Sequence, residues 1–270
     1  MLPDTDRVTR LIEEAAAAEI MPRFRQLAAG DVREKAPGDL VTVADEAVEA
    51  RLAPLLTSLV PGSIVVGEEG AASDPSLLNR LLDDQPLWII DPVDGTNNFA
   101  EGKPAFAVMV ALARGRDVLA AWIHDPVAVR TAVAAAGEGA WLGDRRLRVA
   151  SAPAVPGDMT GVLLSGFFGN RELSRKIDAR RNRVRAIRSA RCAGIEYLRL
   201  AAGDMHFSLF TKLMPWDHAP GVLLHREAGG HAAYLEGGAY EPAAIKRSGL
   251  LLAPDPDSWQ RLHTLLLGDD

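Results

Sequence analysis

The sequence lacks paired cysteines, long apolar runs and an excess of basic residues, and each absence excludes a class of protein. Its 270 residues contain one cysteine, Cys192, which excludes an internal disulfide and a thiolate zinc cluster. No apolar run approaches the roughly 20 residues that a membrane helix needs. Charged side chains are scattered through residues 1–20, which excludes a secretory signal. These absences predict a cytoplasmic protein with no membrane partner.

The charge balance argues against a nucleic-acid binder. Lys and Arg number 30 against 36 Asp and Glu, which gives a net charge of −6. A protein of this charge repels a phosphate polymer overall, so we expect no nucleic acid as partner or polymeric substrate. The length allows one large domain or two small ones, and a hydrophobic content of 48% is ordinary for a globular chain.

The first half of the chain has the pattern of a mixed α and β fold. Two helices are predicted from their apolar stripes and caps, the first with Asp4 or Thr5 as its N-cap and a break or kink at Pro22. Short β-branched or aromatic runs predict buried strands, followed by a hairpin and its extension into an antiparallel sheet. The predicted helices cover 5–29 and 44–59, and the predicted strands cover 63–67, 87–91, 105–114, 118–124, 129–136 and 147–150.

The second half alternates strands and helices, which is typical of an α/β layer. A segment rich in Pro, Ala and Ser at 151–157 is the best linker candidate. We therefore predict an α+β half at 1–150 and an α/β half at 151–270, packed as one globular unit. The predicted strands cover 162–165, 184–187, 205–209, 231–235 and 249–252, and the predicted helices cover 170–180, 194–202, 216–228 and a stretch from 255.

The segment 88–99 concentrates the chemistry of the sequence. An apolar strand ends at Asp91, and Asp94 follows on the same turn. Two such carboxylates repel each other unless a cation lies between them, and oxygen ligands favour Mg²⁺ over Zn²⁺ or Cu²⁺. If a helix begins at Gly95, the N–H groups of Gly95 and Thr96 point at a phosphate. Phosphoryl hydrolysis is predicted, although Asp-Pro and Asp-Gly are also common turn dipeptides.

Three further acids stand at the ends of predicted elements. Glu68 and Glu69 end the strand that lies one crossover before Asp91, and Asp217 opens a helix in the second half. Taken alone, the glutamates are explained as solvated acids and Asp217 as a helix cap. Together with Asp91, they would close one site from both halves of the chain.

Three motifs together resemble the inositol monophosphatase family. They are Gly-Glu-Glu at 67–69, Asp-Pro-Val-Asp-Gly-Thr-Asn-Asn-Phe at 91–99 and Trp-Asp-His-Ala at 216–219, and they occur in the family's order. Supporting stretches lie at 39–45 and 137–140. The resemblance implies a layered αβαβα sandwich of the inositol monophosphatase and fructose-1,6-bisphosphatase type. It also implies a lithium-sensitive phosphatase, two or three Mg²⁺ ions and a homodimer.

The resemblance implies a set of metal ligands at the matching positions. The first metal would be held by Glu68, Asp91 and the carbonyl of Val93. The second would be held by Asp91, Asp94 and Asp217. A weaker third ion would be served by Glu68 and water.

Catalytic and phosphate-binding positions follow from the same resemblance. Asp45 and Thr96 would orient the attacking water, with Glu69 beside them. Gly95 and Thr96 would bind the phosphate through their amides. Water would attack phosphorus in line, and no covalent phospho-enzyme is required.

The positions that would contact the alcohol depart from the family pattern. Inositol-specific members carry a glutamate six residues before the motif tryptophan, and Phe210 stands there. An aromatic ring cannot accept hydrogen bonds from ring hydroxyls, so inositol specificity is not expected. Gly194 matches a substrate-loop glycine, whereas Glu196 replaces a small residue. Glu196 would pair with a cationic substrate group, or it is an exposed acid in the first turn of a helix.

We therefore predict hydrolysis of a small inositol-phosphate-like ester or a related polyol or sugar phosphate. Histidinol-phosphate phosphatase, 3′(2′),5′-bisphosphate nucleotidase and fructose-1,6-bisphosphatase use the same chemistry and remain open. A regulatory relative that binds proteins is the non-enzymatic alternative, but such a relative would be expected to lose a carboxylate. The basic stretch 171–191 fits a substrate-attracting rim, a partner surface or a solvated face.

Overall fold

The strands of the structure, a computed structural model that describes residues 2–164 and 171–268, lie in three sheets. The strands are β1 (Val32–Ala36), β2 (Asp39–Thr42), β3 (Ile64–Gly67), β4 (Pro86–Asp94), β5 (Ala107–Arg114), β6 (Asp117–Asp125), β7 (Arg130–Ala135), β8 (Gly139–Leu142), β9 (Arg145–Arg146), β10 (Thr160–Leu163), β11 (Arg185–Ile187), β12 (Phe207–Phe210), β13 (His231–Tyr234) and β14 (Leu250–Ala253). The helices are α1 (Thr5–Ala15), α2 (Val43–Leu59), α3 (Glu68–Ser73), α4 (Thr96–Ala100), α5 (Arg171–Arg180), α6 (Ala193–Ala201), α7 (Pro215–Glu227) and α8 (Pro256–Leu267).

The sheet topology brings the ends of β3 and β4 together. Strands β3 to β9 form a seven-stranded sheet in chain order, in which β3 and β4 are parallel and all the other neighbours are antiparallel. The smaller sheet has five strands in the order β11-β10-β12-β14-β13, and β1 pairs with β2 as a separate hairpin. The carboxyl ends of β3 and β4 therefore share one sheet edge, where α/β folds commonly bind ligands.

The sheets and helices stack in five layers. Helices α1 and α2 cover one face of the large sheet, α6 and α7 lie between the two sheets, and α5 and α8 cover the outer face of the small sheet. Along β4, Trp88 and Ile90 join the core under α1 and α2, whereas Leu87 and Ile89 join the central core. Because both faces of this strand are buried, its sequence is continuously apolar. The αβαβα sandwich predicted from the sequence is confirmed.

Most predicted elements agree with the structure to within three residues, but the first helix is shorter than predicted. Asp4 caps α1 as expected, by accepting hydrogen bonds from the N–H groups of Asp6 and Arg7. The helix continues as a wider π turn over Ala16–Ile20 and ends before Pro22 instead of reaching residue 29. Proline offers no N–H to a further turn, so the stretch after Ile20 forms irregular turns.

One strand prediction is wrong, and one hairpin was not predicted. The stretch 147–150 is not a strand, because Val149 donates its N–H to the carbonyl of Ala228 at the end of α7. The sheet is completed instead by β8 and β9. The hairpin of β1 and β2 was not predicted, since its residues are mainly polar and lack apolar alternation.

Two predicted elements extend beyond the residues that the structure describes. The predicted strand 162–165 and helix 170–180 each include one residue outside the described ranges, Ser165 and Asn170. Within the described ranges, no helix has the length and apolar character needed to cross a bilayer. The division of the chain at residue 150 stays a prediction.

Candidate active site

Six acidic side chains line one cavity of about 260 Å³, and four of them, Glu68, Asp91, Asp94 and Asp217, come from the three predicted motifs. The register pairs Gly67 of β3 with Ile90 of β4, so Glu68 and Asp91 leave neighbouring parallel strands at one sheet edge. Asp94 ends β4, and Asp217 lies in the first turn of α7. Carboxylate oxygens of Asp91, Asp94 and Asp217 lie within 4.8 Å of one another. The acids predicted from distant motifs therefore converge.

This cluster fits a hard divalent cation. Asp91 is 1% exposed, and its Oδ1 has no hydrogen-bond partner among the described residues. Burial raises the pKa of Asp91 well above its ordinary value, and the charges of Glu68, Asp94 and Asp217 raise it further. Burial also raises the pKa of Asp217 to about 8, with added repulsion from Asp94 and Glu68. Closely spaced carboxylates that resist ionisation together are an oxygen donor set suited to Mg²⁺.

Asp94 is held in place by the start of α6, in the second half of the chain. Its Oδ2 accepts hydrogen bonds from the N–H of Gly194 at 2.6 Å and from Cys192 Sγ at 2.9 Å. A Cβ at Gly194 would lie 2.8 Å from Ala107 Cβ and 3.2 Å from Asp94 Oδ2. Gly194 therefore allows α6 to approach closely and its N–H to hold Asp94, a candidate metal ligand. The contact of Gly194 with substrate stays a prediction.

Asp45 and Thr96 are brought together across the first half. Asp45 Oδ2 accepts hydrogen bonds from the backbone N–H and the hydroxyl of Thr42, in a capping box that begins α2. The hydroxyl of Thr96 lies 3.2 Å from Asp45 Oδ1 and 2.9 Å from the carbonyl oxygen of Val93. Burial raises the pKa of Asp45 to about 7, although the bonds from Thr42 oppose this. Asp45, Val93 and Thr96 therefore form one connected group, in which Val93 and Thr96 line the cavity and Asp45 lies buried behind them.

Lys35 is a site residue that the sequence did not reveal. Its Nζ donates to Glu68 Oε1 at 2.8 Å and to Glu69 Oε1 at 2.9 Å. Burial alone would lower the pKa of Lys35, but the charges of Glu68 and Glu69 and their hydrogen bonds raise it. Lys35 lies in the polar hairpin, where no local pattern distinguishes it from its charged neighbours. The charge of the glutamate pair is therefore partly balanced by a lysine from a distant segment.

Gly95 is required where β4 meets α4. Its φ is +87°, and a Cβ there would lie 2.8 Å from the carbonyl oxygen of Ala105. Helix α4 begins at Thr96, as the phosphate-cradle prediction requires. Asn98 then donates from Nδ2 to the carbonyl oxygens of Ala105 and Ala190, which ties this turn to the loop before α6. The binding of phosphate by Gly95 and Thr96 stays a prediction.

Glu196 and Phe210, which were predicted to contact the alcohol, both line the cavity. Glu196 is 1% exposed, so the interpretation as an exposed helix acid is wrong. Its Oε1 accepts hydrogen bonds from the Ser189 hydroxyl and the Ala190 N–H, and its Oε2 accepts one from the Ser208 hydroxyl. Phe210 stacks on Tyr197 with ring centroids 5.2 Å apart. This part of the cavity wall is aromatic, and both carboxylate oxygens of Glu196 already accept hydrogen bonds from the protein.

The raised carboxylate pKa values predict how Mg²⁺ stabilises the protein at different pH. The folded, metal-free protein holds protons on Asp91, Asp94 and Asp217 that the unfolded chain releases above about pH 4. Its free energy of unfolding therefore falls as pH rises toward the value of about 8 for Asp217. Because Mg²⁺ removes the repulsion, saturating Mg²⁺ should raise the melting temperature more at about pH 9 than at about pH 6.

Scanning calorimetry of chelator-treated protein, with and without Mg²⁺, measures this difference. Asp217→Asn should reduce the dependence of the Mg²⁺ effect on pH, whereas the exposed Asp144→Asn should not. An Mg²⁺ effect that is equal at both pH values, or larger at low pH, would contradict the assignment of the cluster as a cation site.

Comparisons with known proteins agree with the fold and with these motifs. The model of the inositol monophosphatase family matches residues 4–269. An inositol-1-monophosphatase of Mesorhizobium japonicum is 36% identical over 209 residues, which are 76% of this chain and 75% of that protein. The Nus factor SuhB of Xylella fastidiosa is 30% identical over 231 residues, 83% of this chain and 79% of that protein.

Solved structures show the same architecture. The extragenic suppressor protein suhB from Bartonella henselae superposes with a TM-score of 0.77 at 26% identity and covers 97% of this chain and 100% of that one. The IMPase of Thermotoga maritima also has a TM-score of 0.77, at 24% identity, with 96% of each chain covered. The chain therefore belongs to the inositol monophosphatase family, whose members are phosphoric monoester hydrolases.

Proposed function

We propose that this protein hydrolyses a small polyol or sugar phosphate monoester with Mg²⁺ as cofactor, and that the cluster of Asp91, Asp94 and Asp217 is its catalytic centre. The observation that carries the proposal is the approach of these three carboxylates to within 4.8 Å of one another in a cavity lined by Gly95 and Thr96. A cation site next to amide donors is the arrangement that phosphoryl transfer requires.

The cluster of carboxylates fits a hard divalent cation, and we propose that two or three Mg²⁺ ions bind there. Asp91, Asp94 and Asp217, with Glu68 and the carbonyl oxygen of Val93, are the residues that would hold them. When bound, Mg²⁺ neutralises charge on phosphoryl oxygens and lowers the pKa of water.

The other polar groups act on water and phosphate. Asp45 and the Thr96 hydroxyl orient the attacking water, and Asp45 Oδ1 is placed to receive its proton through that hydroxyl. Glu69, paired with Lys35, lies beside them. The amides of Gly95 and Thr96 donate to phosphoryl oxygens. A new bond joins the water oxygen to phosphorus as the ester P–O bond breaks. The leaving alkoxide takes a proton from solvent water, and the products are the alcohol and inorganic phosphate.

The alcohol is the open part of the proposal. Relatives named inositol-1-monophosphatase make an inositol phosphate a natural first probe. Phe210 argues against it as the best substrate, because the ring offers no acceptor to hydroxyl groups. Glu196 was expected to pair with a cationic substrate group, but its oxygens already accept three hydrogen bonds, so a cationic alcohol such as histidinol phosphate is less favoured.

Release of inorganic phosphate from a panel of esters tests the proposal. The panel contains inositol 1-phosphate, histidinol phosphate, sugar phosphates and nucleotides, each with Mg²⁺ and with excess chelator. We expect hydrolysis of at least one ester that is lost with chelator, restored by Mg²⁺ and inhibited by lithium. Absence of turnover across the panel at saturating Mg²⁺ would refute the proposal.

A protein-binding role is the second candidate, because several relatives carry the name Nus factor SuhB. The presence of the full set of acidic residues that the family resemblance calls for favours catalysis over a purely regulatory role. The homodimer and the cytoplasmic location stay predictions.

A further inference from the structure

Two exposed cationic side chains are part of the lining of the catalytic cavity. The ring of Phe210 accepts no ordinary hydrogen bond, and both oxygens of Glu196 are occupied. Lys212 and Arg191 line the same cavity with exposed side chains. Asp39, Asn97 and Thr211 also line the cavity and can accept hydrogen bonds from hydroxyl groups, but a neutral polyol brings no counter-charge to the two cations.

Neither cation forms an ion pair with a described carboxylate. Within the described ranges, no carboxylate lies within 4.0 Å of the charged group of Lys212 or Arg191. The charge of Arg191 acts on Glu101, which is already paired with Lys103. Lys212 lines the same cavity as Asp217 and the other acids of the cluster.

The backbone under Lys212 is fixed by buried groups. His218 donates from Nε2 to the carbonyl oxygen of Lys212 at 2.8 Å, and its Nδ1 lies 2.9 Å from the hydroxyl of Tyr197. Both of these side chains are buried. The backbone of Lys212 is therefore held in place, although its side chain is exposed.

Arg191 is held in an unusual backbone conformation. Its φ is +56°, in the left-handed region that non-glycine residues seldom adopt. Its N–H donates to Ser189 Oγ at 2.9 Å, and its carbonyl oxygen accepts from Asn98 Nδ2 at 3.2 Å. Such conformations persist where the surroundings hold them, and they cluster at ligand sites.

We infer that the alcohol of the natural substrate carries a second anionic group, a phosphate or a carboxylate, that Lys212 and Arg191 bind at the mouth of the catalytic cavity. The inference rests on the proposed function and specifies its substrate class. Two cations on fixed backbone attract such a group and orient the ester for attack at the other phosphate.

Matched pairs of substrates test the inference. Wild-type protein with Mg²⁺ is assayed on fructose 1-phosphate against fructose 1,6-bisphosphate, and on adenosine 3′-monophosphate against adenosine 3′,5′-bisphosphate. We expect kcat/KM about tenfold higher for the bisphosphate in at least one pair. Lys212→Gln and Arg191→Gln should each lower kcat/KM about tenfold more for that bisphosphate than for its monophosphate. Arg191→Lys should restore part of the loss.

Two exposed cations outside the cavity provide matched controls. Lys246→Gln and Arg188→Gln should leave the preference between the substrates of each pair unchanged. Product inhibition gives a second readout, because fructose 6-phosphate carries only the second anion. Its inhibition constant should rise about tenfold in Lys212→Gln, whereas that of inorganic phosphate should change less.

Two results would overturn the inference alone. One is hydrolysis of both monophosphates at least as efficiently as their bisphosphates. The other is an equal loss on both members of a pair in the Lys212 and Arg191 variants, since the cations would then act on the transferred phosphate. Absence of turnover of every ester, by contrast, refutes the proposed function and this inference with it.

Discussion

Asp91→Asn is expected to lower kcat by roughly 10³-fold, which corresponds to about 4 kcal/mol of transition-state stabilisation. Asp91 is the acid whose pKa is raised by all three of its acidic neighbours in the cluster, so it lies at the centre of the charge. An amide at this position keeps the size of the side chain but removes one negative charge from the cation site. Steady-state phosphate release at saturating substrate and Mg²⁺ measures the loss.

Stability measurements separate this effect from misfolding. Because Asp91→Asn removes repulsion with Glu68, Asp94 and Asp217, the metal-free variant should be at least as stable as the wild type at about pH 8. Mg²⁺ should raise the melting temperature of this variant less than that of the wild type. The exposed Asp144→Asn should retain full activity. An Asp91→Asn protein with near wild-type kcat would refute the central position of this carboxylate.

Gly221→Ala is expected to destabilise the fold by about 3 kcal/mol or more. Gly221 lies in α7, and a Cβ there would overlap ring atoms of Tyr197, whose side chain is fully buried. The ring cannot retreat easily, since it stacks on Phe210 and its hydroxyl contacts His218. Denaturant unfolding measures the loss in free energy of unfolding.

A second glycine and a double variant make this prediction specific. Gly30→Ala has open space around the new methyl group and should change the free energy of unfolding by about 0.5 kcal/mol or less. Tyr197→Leu removes the ring, so its cost and that of Gly221→Ala should be less than additive in the double variant. Strict additivity would show that the contact between Gly221 and Tyr197 is not the cause.

The candidate site was predictable wherever its residues are neighbours in the chain. Asp91, Asp94 and Gly95 follow a strongly apolar strand, and the Asp-Gly turn restricts where their side chains can lie. Asp217 was predictable only through the motif around it, because an acid in the first turn of a helix is ordinarily a cap. Glu196 shows the limit: a charged residue in a first helical turn is usually exposed, and no local pattern predicts that Ser189 and Ser208 satisfy it in the core.

By itself, the sequence determined most of the strands and helices, because their apolar periods are local properties of the chain, and it determined the acids at the end of β4. The layered arrangement of these elements was implied by the resemblance of three motifs to the inositol monophosphatase family. Tertiary packing alone decided that Lys35 pairs with both Glu68 and Glu69, that the start of α6 holds Asp94, and that Lys212 and Arg191 line one cavity. The physical reason is that these contacts join segments far apart in the chain. Their geometry depends on how the sheets and helices stack. The residues next to a side chain in the sequence do not determine this stacking.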